Sequence, residues 1–486
     1  MLKRNYFIIK LLLVFSIYFL SSQLISAQNE DYEDYGMGVE YDLESDGTAP
    51  IKATLLTRDY ESVPGSYSLK QYCPTPRSQS IYGTCVGWST TYAALTICEA
   101  ILNNWNDRNL ITQEAFAPLF TYKQLQPEGD CRIGTSIADG LKLLKEKGAP
   151  KMASFDVLCS PGVPQYLFTE AAKHKIDGYT KLFDQKYNPF TKELEEVTPY
   201  ATKINSVKKA LTENRPVVAS IKIHESFNNP KDYWKGEEDN VRGYHAMCVV
   251  GYDDNKYGGA FEIMNSWGPT WGNNGFIWVR YSDFFKICRY AYEVNKNKPL
   301  VTVVPDKKRN SFNGSVTLQR RDGGKNLLLD FQDTGILPYY KARGEYLSGQ
   351  KFRLYVSNDQ PAWVYVISSD KQNNVNKLFP SQDNISALLD YKKNNVAIPD
   401  ESHEFQFDNV AGTDYFCVLY SKEELDINKI VNEMKRNSGS FYEKLHKALG
   451  TKLVAMNECQ YGRNNMNVNA TSDSSVVPLI LEINHK

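Results

Sequence analysis

Gln79-Ser-Ile-Tyr-Gly-Thr-Cys85-Val-Gly-Trp-Ser89 and, far downstream, Gly243-Tyr-His245-Ala-Met-Cys-Val-Val-Gly-Tyr252 followed by Asn265-Ser-Trp267-Gly268 decide how this chain is read. Together they supply a thiol, an imidazole and two side-chain amides. Nucleophilic cysteine chemistry needs that set: a base for the thiol proton, a group to orient the base, and a donor for the developing oxyanion. Trp88, Tyr92 and Leu95, with Ser89, Ala93, Thr96, Ile97 and Ala100, recur at three- and four-residue steps. That spacing predicts a largely buried helix starting at or near Cys85, with Gly83-Thr84 as the turn into it. A thiol at a helix N-terminus sits beside unpaired N–H groups and the positive end of the dipole, which favours the thiolate. The competing reading of Cys85 is a small buried apolar residue.

The second cluster favours the reactive reading. Of six histidines, only His174, His224 and His245 lie in the first three hundred residues. His245 heads a short apolar run that ends in Gly-Tyr-Asp-Asp-Asn, which reads as a core strand entering a turn. Phe261-Glu-Ile-Met-Asn265 reads as the next strand, so Asn265 would lie beside His245 in an antiparallel pair. A hydrogen bond there fixes the ring tautomer and leaves the other nitrogen for the thiol. His224, at the end of Val217-Val-Ala-Ser-Ile-Lys-Ile, lacks a downstream asparagine and reads as a surface residue.

From about Tyr60 to Asn295 the chain resembles the papain-family cysteine peptidases. The resemblance implies an α+β fold of two lobes, one helical and carrying Cys85, the other barrel-like and carrying His245 and Asn265, with the cleft between them. It further implies Cys85 as nucleophile, His245 as general base and acid, Asn265 as the orienting residue and Gln79 as the oxyanion-hole amide. Trp267 matches the tryptophan that shields the asparagine–histidine pair from water. Asp130-Cys-Arg-Ile-Gly134-Thr-Ser-Ile-Ala138-Asp-Gly-Leu141 resembles the family's glycine-rich turn and helix beside the substrate cleft. Ser206-Val-Lys-Lys-Ala-Leu, then Arg215-Pro-Val-Val-Ala, resembles the helix and strand opening the second lobe. There are departures. Val86 follows the nucleophile where many relatives have tryptophan. Tyr82 replaces a family cysteine, so the usual disulfide cannot form, and Cys131 must be free or paired elsewhere. No long helical propeptide is present.

Lys3, Arg4 and Lys10 flank an apolar stretch from Leu11 to Leu20, and Ile25-Ser26-Ala27 offers a small-residue cleavage site, so residues 1–27 read as an export signal. The expected location is secreted, periplasmic or cell-surface, with no stable membrane insertion after cleavage. Residues 28–59 form an acidic leader or short pro-segment. Glu30 to Asp46, rich in acid and tyrosine, reads first as a solvated tail, with a cover over the cleft as the alternative. Export is compatible with disulfides among the eight cysteines other than Cys85, although Cys98 and Cys248 read as core and spacing gives no connectivity. No metal-ligand pattern appears, so no metal and no cofactor are expected. Charges nearly cancel, at a net −1, so nothing points to nucleic acid or to an anionic membrane surface, and the resemblance implies peptide or protein substrates.

The peptidase region, 60–298, leaves room for more chain. A linker is expected over 299–310 and a β-rich accessory domain over 311–486. Phe352, Leu354 and Val356; Trp363, Tyr365 and Ile367 against Val364 and Val366; Phe405 and Phe407; and Tyr415 to Tyr420 read as strands. Leu425 to Met434 and Tyr442 to Leu449 read as helices. The segment from about Gly349 to Tyr420 resembles a bacterial accessory domain of unassigned function, carried by Leu378-Phe-Pro380 and Ile398-Pro399. It would bind substrate or a surface partner, or be structural, and His403 and His446 read as surface residues without partners. The functional expectation is a secreted cysteine peptidase acting through a Cys85 thioester. The alternatives are an acyl transferase or ligase using the same thioester, and a non-catalytic peptide-binding homologue.

Overall fold

The computed structural model describes residues 35–53, 63–183, 185–191, 193–236, 239–296, 309–320, 328–372, 374–390, 395–400 and 403–486. The expected export signal and most of the expected linker lie outside them.

The first lobe is built on the helix Cys85–Leu102. Its middle, Trp88–Leu95, winds as a π-helix between two α-helical ends, and every residue from Cys85 to Ala100 is buried. A helix apolar on all sides belongs inside a protein, and this one is enclosed by the helices Pro118–Leu125 and Ile137–Glu146. Ser136 caps the latter by accepting from the Asp139 N–H at 3.2 Å. The expected helix at Cys85 is therefore present, with the thiol in its first turn.

The second lobe is a sheet in the order Gly178–Lys181, Cys288–Asn295, Val217–His224, Val241–Asp253, Ala260–Met264, Phe276–Arg280, Tyr233–Trp234, with Ser66–Ser68 paired onto Val241–Asp253. Val241–Asp253 and Ala260–Met264 are antiparallel, and Cys248 pairs with Met264. That register sets Asn265 beside Met247 and a diagonal step from His245, the placement the sequence implied. Cys98 and Cys248 are core residues as expected. His224 is not the surface residue expected. It is buried, and its Nδ1 lies 2.7 Å from the Asp239 carbonyl oxygen, so a chain segment fifteen residues away holds that nitrogen.

Cys131 is disulfide-bonded to Cys159, with 5.9 Å between Cα atoms. With Tyr82 in the family cysteine's place, the bond closes a different loop, 28 residues in sequence separation. Loop-closure entropy for that length gives up to about 3.5 kcal/mol of stabilisation. Cys131→Ser is expected to lower the denaturant midpoint and steepen the slope, because the unfolded chain loses its cross-link, as measured by equilibrium unfolding.

The C-terminal domain is a β-sandwich. One sheet runs Val396–Ile398, Lys351–Asn358, Asn310–Arg320, Met466–Ser472, Cys459–Tyr461. The other runs Leu328–Gln332, Tyr339–Arg343, Val476–His485, Gly412–Ser421, Ala362–Ser369, Val375–Phe379. Strand alternation divides the second sheet between two cores. Val364 and Val366 face the sandwich interior, while Tyr365 and Ile367 pack beneath the helices Ile427–Arg436 and Phe441–Leu449. Phe405 is in a short strand but Phe407 is not; it packs as a ring against Phe352 at 4.6 Å. His403 and His446 are exposed as expected, but His403 has a partner, Asp400, at 2.8 Å.

Candidate active site

Three separate elements bring the predicted residues together. His245 Nε2 lies 2.7 Å from Asn265 Oδ1, and the N–H of Ala246, next to His245, donates to Cys85 Sγ at 3.5 Å. With Nε2 held by the asparagine, Nδ1 is the nitrogen left for the thiol; it is buried and has no hydrogen-bond partner among the described residues. The Trp267 ring lies 4.9 Å from the His245 ring and is buried, which keeps water from the His245–Asn265 bond.

Gln79 is tied to the same network. Its Oε1 accepts from Ser266 Oγ at 2.5 Å, its N–H donates to the Ser266 carbonyl at 2.8 Å, and the Ser266 N–H donates to Asn265 Oδ1 at 2.7 Å. Ser266 thus links the amide beside the thiol to the amide beside the imidazole. Sequence reasoning gave it no role, although it stands inside the Asn-Ser-Trp-Gly run. With Oε1 occupied, Nε2 is fixed as the donor, and it donates to the Gly36 and Tyr82 carbonyls at 2.9 and 2.7 Å.

A second group missed from the sequence is in the leader. Its described part does not behave as a solvated tail but lies along the cleft. Gly36 N–H donates to the Ser80 carbonyl at 3.1 Å and the Gly36 carbonyl accepts from Gln79 Nε2 at 2.9 Å. The Gly38 carbonyl accepts from the Thr135 N–H at 2.9 Å, and Glu40 N–H donates to the Thr135 carbonyl at 3.1 Å. Val39 N–H reaches the Tyr244 carbonyl at 3.4 Å, so the segment joins both lobes. Tyr35 stacks on Trp267 with centroids 4.6 Å apart. The approach requires glycine: a Cβ on Gly36 would lie 2.0 Å from the Tyr82 carbonyl oxygen, and one on Gly38 2.2 Å from that of Gly83. Gly36-x-Gly38 was the available signal, hidden among acids and tyrosines.

Burial sets the electrostatics. Cys85 and His245 are both 0% exposed. Burial pushes the Cys85 thiol up to about 11, against N–H groups of Ala246, Gly38, Val86 and Cys85 itself that favour the anion. Burial pulls His245 down to about 4, against the Asn265 hydrogen bond. At neutral pH both are therefore uncharged in this form. Among the N–H groups that act on the thiol is that of Gly38 in the leader.

With water and a carbonyl substrate in place of the leader, the arrangement can carry acyl transfer: a thiol, a base on its pre-set tautomer, and an oriented amide donor. Gln79→Ala is expected to lower kcat about 100-fold with little change in KM, read from steady-state peptide hydrolysis by enzyme freed of its leader. Among the described residues no group of His, Cys, Asp and Glu is arranged to hold a metal ion.

Residues 154–296, which include His245, Asn265 and Trp267, match the papain family cysteine protease model; residues 345–424 match a domain of unknown function. The chain is 26% identical over 254 residues to an uncharacterized peptidase C1-like protein of Acanthamoeba polyphaga mimivirus, covering 48% of this chain and 74% of the viral one. It is 31% identical over 75 residues to a cathepsin B-like cysteine proteinase of Haemonchus contortus, spanning 15% of this chain and 22% of that relative's length. A cysteine protease from Xylella fastidiosa superposes with a TM-score of 0.42 at 20% identity, covering 55% of this chain and 97% of the other.

Proposed function

The chain carries a papain-family cysteine peptidase domain, and on that premise we propose that it hydrolyses peptide bonds through a Cys85 thioester. The observation that carries the reading is the convergence of Cys85 from a helix, His245 from a strand and Asn265 from the end of a second strand, with Gln79 bound to the same network. His245 Nδ1 takes the Cys85 proton, and the thiolate sulfur attacks the substrate carbonyl carbon. Gln79 Nε2 and the Cys85 N–H hold the resulting oxyanion. His245 then returns the proton to the leaving nitrogen as the C–N bond breaks, which frees the amine and leaves the thioester. A water, losing a proton to His245, attacks the thioester carbon; the C–S bond breaks, the thiol is restored and the carboxylic acid departs.

The leader is the pro-segment of this enzyme. It places a carbonyl on the oxyanion donor and an N–H on the nucleophile, and it must leave before substrate enters. Residues 1–27 direct export, and the Cys131–Cys159 disulfide suits an oxidising compartment. The test is the mass of the products of a defined peptide, with and without an added amine. Cleavage that adds one water per bond in both cases is expected. Quantitative capture by the amine would instead make the enzyme an acyl transferase, and no Cys85-dependent cleavage would refute the proposal.

A further inference from the structure

We propose that the C-terminal domain, to which no function is assigned, is a clamp that keeps the leader in the Cys85 cleft; this rests on the pro-segment reading above. The leader is shared between the two domains. Ala49 is buried in the core of the peptidase domain and Ala53 in the core of the β-sandwich. Between them the chain is extended and its two edges face different partners, as strand alternation requires. Towards the peptidase, Lys52 N–H donates to the Lys181 carbonyl at 2.8 Å and Lys181 N–H donates to the Pro50 carbonyl at 2.7 Å. Towards the sandwich, Ile51 N–H donates to the Asn384 carbonyl at 2.7 Å and its carbonyl accepts from the Ser386 N–H at 2.7 Å. Asn384 Nδ2 also reaches the Gly47 carbonyl at 3.2 Å.

A buried ion network reinforces the same seam. Lys52 pairs with Glu293 at 2.5 Å, Glu293 with Arg215 at 2.9 Å, and Arg215 with Asp390 of the sandwich at 2.8 Å. Asp390 is held below the ordinary carboxylate range: burial opposes its charge, and Arg215 and Lys52 overcome that penalty. One strand of leader thus depends on both domains, within about ten residues of the segment that covers Cys85. Its sandwich edge is the half that the peptidase cannot supply. Detachment of the sandwich removes that half of the anchor, and the leader's residence in the cleft shortens. Between the anchor and the covering segment, Asp42, Leu43 and Glu44 are exposed. A hydrolytic cut there would free the cover and leave Pro50–Lys52 as a permanent strand between the domains.

The experiment reads the second-order rate of Cys85 alkylation by iodoacetamide at pH 7, by peptide mass mapping of the full chain, in three proteins. In the clamp variant Ile51→Pro/Asp390→Ala, proline removes only the N–H that faces the sandwich. Arg215 keeps Glu293, which it then shares with Lys52. Gly38→Val drives a side chain into the Gly83 carbonyl and loosens the cover directly. The clamp variant is expected to react about tenfold faster than wild type, in keeping with the loss of a strand hydrogen bond and one ion pair. Gly38→Val is expected to react faster still. An accelerated Gly38→Val beside an unchanged clamp variant would overturn the clamp and leave the pro-segment reading standing. A Gly38→Val rate equal to wild type would overturn the pro-segment reading and the clamp with it. If the double variant does not fold, hydrogen exchange of Asp390→Asn decides. Faster exchange at Gly36, Val39 and Glu40 is expected, and unchanged exchange would overturn the clamp.

Discussion

Replacing Cys85 with alanine in leader-free enzyme is expected to lower kcat/KM for peptide hydrolysis by ~10^4-fold or more, and His245→Ala to fall in the same range. Either change removes the covalent route, leaving only substrate binding and the donors around Gln79. Because the two groups act as a unit, the double variant should be no slower than the worse single one. The two variants differ in one respect. Cys85→Ala has lost the sulfur, whereas His245→Ala keeps a thiol without its base, so it should also lose rapid reaction with alkylating agents near neutral pH. Steady-state kinetics with alkylation rates on the same preparations separates these effects. An active Cys85→Ala variant would exclude the thioester mechanism.

Release of the leader is the second large effect, and its size follows from the burial it relieves. At about 11, the covered Cys85 thiol is roughly 10^-4 ionised at pH 7, whereas activated cysteines titrate near 3.5 to 7.5 and are substantially thiolate there. Uncovering restores water to Cys85 and to His245, so the first falls and the second rises, and each favours the charge of the other. A drop of about four units raises the thiolate fraction by nearly 10^4. The weaker intrinsic nucleophilicity of a less basic thiolate takes back about 10^2, on a Brønsted slope of about 0.4 to 0.5. The net expectation is an increase of about 100-fold in Cys85 alkylation. It would be measured after inserting a specific protease site between Leu43 and Glu44 and cutting the exposed loop. Peptide hydrolysis should appear with it. The pH profile should gain activity below neutrality, where the covered form has almost no thiolate.

The parts of this protein legible from sequence are those whose signal is periodic. The helix from Cys85 announced itself through apolar residues at helical spacing, and Val364 to Ile367 through an alternation that the structure resolves into two cores. His245 and Asn265 could be placed close together because two antiparallel strands joined by a turn fix their register. What escaped depends on partners distant in sequence or on backbone. His224 reads as exposed because it lacks a downstream asparagine, yet the Asp239 carbonyl holds its Nδ1 in the interior. Cys159 could not be paired with Cys131 because spacing carries no connectivity. The leader was misread because its contacts are made by N–H and C=O groups at Gly36, Gly38 and Glu40. Such contacts have no composition, and the acids and tyrosines around them read as solvated.

The decisive measurement is intact mass and peptide mapping of leader-cut enzyme after brief exposure to an irreversible epoxide inhibitor of papain-like enzymes, beside a leader-cut Cys85→Ala control. One adduct on the wild type, mapped to Cys85 and absent from the control, is the predicted result. No adduct on correctly folded, leader-cut protein, or an adduct that persists in the control, would contradict the assignment of Cys85 as the activated nucleophile.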